Sequence, residues 1–367
     1  MIWSRAIVHL DMDAFFVNVH LLANPEDHGR PLAVGGSPNG RGVVASASYE
    51  ARQFGVHSAM PSSRALRLCP NIKFVRHNWE LIRETSAAVM TLLGSYGPLE
   101  KMSVDEAYID VSHHEDPESI ALIMRERVKI ETNCPASVGL ATSKLVAKIA
   151  SDYDKPEGCT IILPGEEAAF LAPLPVRAIS GIGPATAAKL ATFNIETCGQ
   201  LASHDFAALY ASFKNQAESL QRRAKGIDNR KVESDPGQSK SISQENTFNK
   251  DIDDKEYLCQ QISQMSESIA RSLRKKNLIA HTVQLKFRWN DFTTFTRQRS
   301  VENGIDSPRE IERLANAIFD SFWEGEKLRL IGVGVSNIIE PTGRQLELFP
   351  DLDLTESGKD QYTAEYN

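Results

Sequence analysis

Two short acidic strands, far apart in the chain, constrain its fold more than any other feature. The central one spans residues 102–110, an apolar and β-branched run with adjacent carboxylates, Asp105 and Glu106, in its middle. Neighbouring side chains of an extended strand point to opposite faces. Both carboxylates can therefore serve one site only if they stand at a hairpin tip, a bend or a bulge.

The second acidic strand spans residues 6–13, where Asp11 and Asp13 share one face and apolar side chains share the other. Carboxylates gathered on adjacent strands repel one another unless a cation neutralises them. Oxygen ligands of this kind select Mg²⁺ or Mn²⁺, so the pattern predicts a site with two metal ions that clamps the oxygens of phosphoryl transfer. Composition alone leaves open the plainer interpretation that each acid merely ends a strand.

The bulk composition is that of a globular chain of several domains. Its 367 residues are 41% hydrophobic and 24% charged, and no stretch approaches a membrane span. The net charge of −7 is unusual for a nucleic-acid-binding protein, but residues 340–367 hold seven acidic and two basic residues, which leaves the remainder close to neutral. Five scattered cysteines without a CxxC pair, and an N-terminus unlike a signal peptide, predict a reduced, cytoplasmic protein.

The order of apolar patterns predicts an α+β fold built on two split βαβ units. The first has its initial strand near residues 5–13 and is interrupted by a segment at 14–76. The second follows a flexible linker at 233–239. Between them, the turn Gly181-Ile182-Gly183 opens a helix of small residues, which is the helix–hairpin–helix pattern that holds a DNA phosphate on its turn amides.

Several positively charged positions are candidates for phosphate contacts. Tyr49 and Arg52 stand one helical turn apart, and arginine suits bidentate phosphate binding, although a surface ion pair explains Arg52 equally well. Lys155 is presented by a turn. Eight basic residues and one acid between residues 271 and 299 predict a sheet with one apolar and one basic face, and an ordinary solvated face is the alternative. The basic residues on its strands are Lys286, Arg288, Arg297 and Arg299.

One apolar pentad stands alone in the acidic tail. Its residues are Gln345, Leu346, Glu347, Leu348 and Phe349. Such a segment predicts a docking peptide for a partner protein. Packing of the same residues on their own domain is the alternative.

Five motifs occur in the order seen in Y-family translesion DNA polymerases, and the resemblance is closest to their bacterial DinB type. It covers essentially residues 5–349. The motifs are Asp11-Met12-Asp13-Ala14-Phe15-Phe16, Ser48-Tyr49-Glu50-Ala51-Arg52, Ser103-Val104-Asp105-Glu106-Ala107-Tyr108, Ala147-Lys148-Ile149-Ala150-Ser151 with Lys155-Pro156-x-Gly158, and Gly181-Ile182-Gly183.

The resemblance implies a right-hand polymerase with a split-βαβ, ferredoxin-like palm, small fingers, a helical thumb that carries the helix–hairpin–helix and a second split-βαβ domain, the little finger. The palm would be residues 1–13 and 77–165, the fingers 14–76, the thumb 166–232, the linker 233–239, the little finger 240–341 and the tail 342–367.

The resemblance also implies the roles of single residues. Asp11, Asp105 and Glu106 would be catalytic ligands of two Mg²⁺ ions, with Mn²⁺ as a possible substitute, and the Met12 carbonyl would complete the nucleotide-side ion. Tyr49, Arg52 and Lys155 would hold the incoming triphosphate. Phe16 would be the steric gate that rejects a ribose 2′-hydroxyl. Gly181, Gly183 and the four basic strand residues would contact DNA, and Gln345, Leu346, Leu348 and Phe349 would bind a sliding clamp.

The activity implied is template-directed, low-fidelity DNA synthesis by a monomer on primer–template DNA, with deoxynucleoside triphosphates as substrates and no proofreading module. Two positions depart from the family pattern, which usually has Glu at His20 and Asn at Ser143. His20 raises a question about packing at the gate. A catalytically inactive scaffold would have lost acids that are all present, and a nucleotide cyclase on a similar palm would need neither the helix–hairpin–helix nor the clamp-like peptide.

Overall fold

The computed structural model describes residues 3–235 and 237–341, and within them the chain forms two compact units, one before residue 237 and one from Gly237 onward. None of the helices in these described ranges is long and apolar enough to cross a bilayer. The predicted clamp-binding residues Gln345, Leu346, Leu348 and Phe349 lie outside the described residues.

The first unit contains eight strands and eleven α-helices. In chain order the strands are β1 Ile7–Met12, β2 Leu32–Gly35, β3 Val44–Ala47, β4 Lys73–Val75, β5 Leu99–Lys101, β6 Glu106–Asp110, β7 Ala136–Ala141 and β8 Cys159–Ile161. The helices are α1 Phe15–Ala23, α2 Tyr49–Arg52, α3 Ser62–Leu68, α4 Trp79–Gly94, α5 Pro117–Thr132, α6 Lys144–Tyr153, α7 Glu167–Leu171, α8 Pro184–Ala191, α9 Cys198–Ser203, α10 Phe206–Phe213 and α11 Gln216–Ala224.

A five-stranded sheet with the order β5-β6-β1-β7-β8 forms the centre of this unit. β1 is antiparallel to both β6 and β7. Val8, Leu10 and Met12 point into a core formed with α4 and α5, whereas Ile7 belongs to a second core with α6 and the later helices. Within this sheet, β5, β6, β1 and β7 follow the split βαβ order. The predicted insertion, residues 14–76, contains a separate small sheet with the order β3-β2-β4.

Helix ends in this unit follow the capping residues in the sequence. Asp116 accepts a hydrogen bond from Ser119 N at 3.1 Å ahead of α5, with Pro117 at the first helical position. Ser143 accepts one from Val146 N at 3.4 Å at the start of α6. Asparagine and serine are both good N-cap residues, so the departure at position 143 preserves a capping side chain.

The second unit contains β9 Ser241–Ile252, α12 Lys255–Lys275, β10 Ile279–Trp289, β11 Thr294–Ile305, α13 Pro308–Phe322 and β12 Leu328–Ile339. Its sheet has the order β11-β10-β12-β9, so the parallel strands β9 and β10 are split by β12. Both units are therefore split βαβ folds, as predicted, but their strand orders differ. Val283, Leu285 and Phe287 are buried against the helices α12 and α13.

Candidate active site

Strand pairing brings the three predicted catalytic acids to one end of the central sheet. Asp11 on β1 lies opposite Glu106 on β6. The next residue, Met12, donates its backbone N–H to the carbonyl of Asp105 at 2.9 Å. Asp105 stands in the turn between β5 and β6, where Met102 N donates to Glu106 O at 3.0 Å. Of the hairpin tip, bend or bulge that the sequence allows, the structure has a hairpin turn, which brings both residues of the pair next to the end of β1.

Each of these carboxylates has a polar partner from the chain itself. Lys155 Nζ lies 2.8 Å from Asp11 Oδ2. Lys148, on α6, forms an ion pair with Glu106, and the hydroxyl of Ser103 donates to Asp105. Asp11 and Glu106 therefore face lysines, and their ammonium groups relieve the repulsion between carboxylates that the sequence predicts.

Burial and these partners shift the pKa values of the acids in opposite directions. Burial raises the pKa of Asp11 to about 6, even though Lys155 opposes the shift. His9, whose Nε2 lies 3.4 Å from Glu106 Oε2, and Lys148 together hold the pKa of Glu106 at about 2. Burial alone would lower the pKa of Lys155, but the carboxylates of Asp11 and Asp152 raise it above its ordinary value.

The donor set fits a hard divalent cation in its chemistry. It consists of oxygen ligands at adjoining strand ends, which are the ligands that Mg²⁺ and Mn²⁺ prefer. In residues 3–235 and 237–341, no three acidic, histidine or cysteine side chains are arranged as a ready metal site.

A cavity of about 220 Å³ opens beside Asp11, and most of the residues predicted to form the active site line it. Of the predicted residues, Asp11, Met12, Phe16, Tyr49, Arg52, Asp105 and Lys155 line it. Glu106 is not among the described residues that do so. Residues from the first strand, the inserted segment, the β5–β6 turn and the segment after α6 thus meet around one space.

Tyr49 and Arg52 form a single unit at the wall of this cavity. The guanidinium carbon of Arg52 lies 4.4 Å from the centre of the Tyr49 ring, and Arg52 Nε donates to Ala47 O at 3.0 Å. Ser48 caps their short helix by accepting a hydrogen bond from Ala51 N at 3.2 Å. The pKa of Tyr49 is raised to about 12, mainly by burial, so its hydroxyl stays protonated at neutral pH.

Phe16 stands in the wall of the cavity against two other aromatic rings. Its ring meets those of His77 and Trp79 edge to face, with centroid separations of 5.5 Å and 5.7 Å. His77 and Trp79 are themselves stacked, 5.1 Å apart. The ring predicted to be the gate is therefore fixed by two side chains to which the sequence alone gave no role.

His20, which departs from the family pattern, belongs to a charged cluster around Asp27. Its Nε2 lies 2.9 Å from Oδ2 of Asp27, a carboxylate that is 0% exposed. Lys73 Nζ lies 2.6 Å from the same oxygen. His20 is not among the described residues that line the cavity, so the departure at position 20 brings no side chain to the cavity wall.

The predicted DNA-contacting residues fall into two groups. Gly181 has φ +91°, a left-handed conformation that favours glycine, and Gly183 immediately precedes α8. Lys286 and Arg288 lie on the open face of the second sheet, opposite Thr296 and Thr294. Arg297 pairs with the buried Leu285.

The prediction of one shared basic face is therefore wrong. Directly opposed residues of antiparallel strands point to the same side of the sheet. Arg297 pairs with Leu285 and Arg299 with Val283, so both arginines lie on the helix-covered side. The guanidinium of Arg297 packs 4.1 Å from the ring centre of Phe322 on α13.

Two side chains close to the site, His9 and Lys148, had no role predicted from the sequence. Asp13, which the sequence groups with Asp11 on one face of the first strand, is instead buried and is not among the described residues that line the cavity. His9 Nδ1 lies 2.7 Å from Ser151 Oγ, while its Nε2 has no well-aligned hydrogen-bond partner among the described residues. A polar residue at an inward position of an otherwise apolar strand was the signal available for His9. For Lys148, the available signal was its position in the motif Ala147-Lys148-Ile149-Ala150-Ser151.

The chain matches three models of one protein family. The impB/mucB/samB family model matches residues 10–152, the C-terminal domain model of that family matches residues 239–348, and the model of its helix–hairpin–helix motif matches residues 164–195.

Curated relatives and solved structures agree with these matches. A protein named DNA polymerase IV from Dehalococcoides mccartyi is 43% identical over 355 residues, which is 94% of this chain and 90% of the relative. One of the same name from Methanoculleus marisnigri is 40% identical, with 94% and 98% covered. A Y-family polymerase chimera of Dbh and Dpo4 has a TM-score of 0.81 at 26% identity, covering 92% of this chain and all of the chimera. The insertion ternary complex of Dbh DNA polymerase has a TM-score of 0.65 at 26% identity, with the same coverage.

The right-hand polymerase fold and its acidic cavity define a DNA-directed DNA polymerase. The chain belongs to the impB/mucB/samB family, the Y family of translesion polymerases, and within it to the DinB type. The cyclase and inactive-scaffold alternatives are thereby set aside. A divalent metal ion is required by this class of enzyme.

Proposed function

We propose that Asp11, Asp105 and Glu106 are the ligands of two Mg²⁺ ions, with the Met12 carbonyl completing the nucleotide-side site. Tyr49, Arg52 and Lys155 hold the triphosphate of the incoming nucleotide, and Phe16 selects its sugar. The observation that carries this proposal is the single cavity of about 220 Å³ that these residues line, Glu106 excepted. Mn²⁺ can replace Mg²⁺ on the same oxygen ligands.

The chain's own groups then divide the work of nucleotidyl transfer. When bound, the divalent ions supply positive charge that acidifies the primer 3′-hydroxyl and neutralises the leaving pyrophosphate. Arg52 and Lys155 bind phosphate oxygens and hold the triphosphate in line with the attacking hydroxyl. The ring of Phe16 lies under the sugar, so that a 2′-hydroxyl collides with it.

A small-residue surface next to the cavity accounts for tolerance of damaged templates. Ala45 and Ser46 line the cavity, and Val43 is exposed. Such side chains press little on the nascent base pair, which admits bulky lesions and lowers fidelity. Primer extension past a minor-groove guanine adduct tests this role; a complete block there, with normal synthesis on intact template, contradicts it.

We infer the remaining assignments from the same resemblance. The palm is residues 1–13 and 77–165, the fingers 14–76, the thumb 166–232, the linker 233–239 and the little finger 240–341. The turn at Gly181 and Gly183 contacts DNA, as do Lys286 and Arg288 on the open face of the second sheet. Residues 345–349 bind a sliding clamp. The enzyme acts as a monomer in the cytoplasm, where its five free cysteines stay reduced.

Template-directed extension of a labelled primer tests the metal ligands. Asp105→Ala/Glu106→Ala is expected to abolish extension with Mg²⁺, because removing charge stabilisation at the reacting phosphate costs about a thousandfold or more. The matched control is Glu126→Ala/Glu131→Ala, which removes two exposed acids from α5 in the same unit. Extension by the Asp105→Ala/Glu106→Ala variant at the control's rate contradicts the proposal.

A further inference from the structure

The carboxylate of Asp13 has no role in the reaction as proposed so far. It stands two residues from Asp11, yet it is 1% exposed and lies behind the wall of the cavity, outside the described residues that line it. Carboxylates are almost never fully buried unless they are paired or hydrogen-bonded, because burial of an unpartnered charge is very costly. The partners of Asp13 therefore indicate what it does.

Three hydrogen bonds converge on Asp13 from distant parts of the chain. The hydroxyl of Tyr49 donates to Oδ1 at 3.1 Å. The hydroxyl of Ser137, on β7, lies 3.0 Å from both carboxylate oxygens, and the backbone N–H of Glu157 donates to Oδ2 at 2.8 Å. These bonds satisfy both oxygen atoms of the buried carboxylate. Asp13 thus joins the end of β1 to α2, to β7 and to the turn ahead of β8.

Two of these partners belong to opposite sides of the proposed triphosphate site. Tyr49 is one of its residues, and Arg52 rests on the Tyr49 ring at 4.4 Å. Glu157 lies two residues after Lys155, which reaches Asp11 at 2.8 Å and Asp152 at 2.8 Å. The raised pKa of Tyr49 keeps its hydroxyl protonated and able to donate. The carboxylate of Asp13 thus contacts residues on both sides of the proposed triphosphate site, Tyr49 on one and Glu157 on the other.

We propose that Asp13 is a positioning residue of the polymerase. Its carboxylate fixes Tyr49 and the turn that presents Lys155 to the strand end that carries Asp11, so the two sides of the triphosphate site are in place before a nucleotide arrives. This inference rests on the proposed roles of Tyr49, Arg52 and Lys155. Preorganisation of this kind lowers the cost of binding, since less side-chain and loop freedom is lost in the complex.

A merely structural buried acid is available in the same unit for comparison. Asp27 is 0% exposed and is held by Lys73 and His20. Neither partner is among the described residues that line the cavity. Asp27→Asn should therefore lower the melting temperature and leave nucleotide binding unchanged.

Equilibrium binding of a complementary dNTP tests the proposal without requiring turnover. The probe is dCTP, titrated with Mg²⁺ onto the full-length protein bound to a dideoxy-terminated primer on a template that offers guanine. Asp13→Ala and Tyr49→Phe should each raise the Kd for dCTP about tenfold, the cost of losing a hydrogen bond to a charged group. The Kd of the double variant should rise by less than the product of the two single losses, because both changes remove the hydrogen bond between Tyr49 and Asp13.

Steady-state extension separates positioning from chemistry. Asp13→Ala should raise KM for the nucleotide by a similar factor and change kcat at saturating nucleotide much less, as expected when binding rather than transition-state stabilisation is weakened. Asp13→Asn, which keeps the side-chain shape and one acceptor oxygen, should restore part of the affinity. If Asp13→Ala does not fold, Asp13→Asn and Tyr49→Phe form the cycle instead.

Two results overturn the inference. One is wild-type affinity in a folded Asp13 variant, and the other is a double variant whose loss is the full product of the two single losses. Failure of the proposed function looks different, because then the wild-type protein itself neither binds dCTP in the ternary complex nor extends the primer. Normal wild-type binding with an unaffected Asp13 variant removes only the role of Asp13.

Discussion

Single side chains neutralise the acids around the cavity and hold the aromatic ring in its wall. Lys155 and Lys148 neutralise Asp11 and Glu106, while Phe16 is held by the stacked rings of His77 and Trp79. The lysines therefore shift the pKa values of Asp11 and Glu106, and the aromatic contacts hold the ring of Phe16 in place. The residues that neutralise the acids differ from the residues that contact Phe16, so each set can be mutated without changing the other.

Removal of the Phe16 ring should admit ribonucleotides. Phe16→Ala deletes the surface that a 2′-hydroxyl meets, so we expect the ratio of ribonucleotide to deoxynucleotide incorporation to rise about a hundredfold. Trp79→Ala keeps that ring but removes one of its two supports, and should raise the ratio by a smaller factor. Steady-state kcat/KM for both sugars on the same primer measures the change; an unaltered ratio in Phe16→Ala contradicts the gate assignment.

The Asp27 cluster should make stability depend on acid pH. Hydrogen bonds from Lys73 and then His20 lower the pKa of Asp27 in the folded protein. A carboxyl with a lowered folded-state pKa contributes stability that is complete above its unfolded value of about 4 and is lost as pH falls through the folded value. The difference in melting temperature between wild type and Asp27→Asn should therefore be constant near neutral pH and shrink below pH about 4. A difference that grows on acidification contradicts this assignment.

At the scale of secondary-structure elements, strand parity decides which basic residues can reach a ligand. Along β10 the alternation of Val283, Leu285 and Phe287 with polar residues correctly predicts one buried and one open face. Along β11 the same reasoning failed. Parity across a hairpin depends on the turn at residues 290–293, and a slip of one residue turns every side chain to the other face.

The two faces should respond differently to removal of charge. Lys286→Gln/Arg288→Gln is expected to weaken DNA binding and to reduce the magnitude of the slope of log K against log salt by about two, one for each phosphate that the variant no longer neutralises. Arg297→Gln removes a guanidinium that packs on Phe322, so it should mainly lower the melting temperature. Fluorescence anisotropy over a salt series measures the slopes, and equal slopes in both variants contradict the assignment of faces.

Most of the helices and strands follow from local sequence signals, whereas the contacts between side chains do not. Asp116-Pro117 predicts the start of α5. The alternation rule requires a hairpin tip, a bend or a bulge at Asp105 and Glu106, but it does not distinguish among the three. Three sets of contacts join residues far apart in the chain. They are the ion pairs between the acids and their lysines, the ring contacts of Phe16 with His77 and Trp79, and the hydrogen bonds to Asp13. No periodicity within one segment can reveal such pairs.

At the scale of the whole molecule, two folded units are followed by an acidic tail whose apolar pentad, residues 345–349, is proposed to bind a sliding clamp. Tethering raises the local concentration of an enzyme on its template without any change at its active site. Clamp binding and nucleotide transfer should therefore be separable by truncation.

Deletion of residues 342–367 should leave the basal rate on a short primer–template unchanged. The same deletion should abolish any stimulation by a sliding clamp loaded on a long template, and Leu348→Ala/Phe349→Ala in the full chain should do the same. Glu356→Ala/Asp360→Ala, two acids of the tail outside the pentad, is the control. Clamp stimulation that survives the deletion contradicts the assignment.

The central position of β1 has a consequence for the newborn chain on the ribosome. β1 is synthesised first, yet its two neighbours in the sheet, β6 and β7, begin only at Glu106 and Ala136. Lys155, which neutralises Asp11, emerges later still. A chain that ends before β6 thus carries Asp11 on a strand without its sheet neighbours, and it has no assembled cavity.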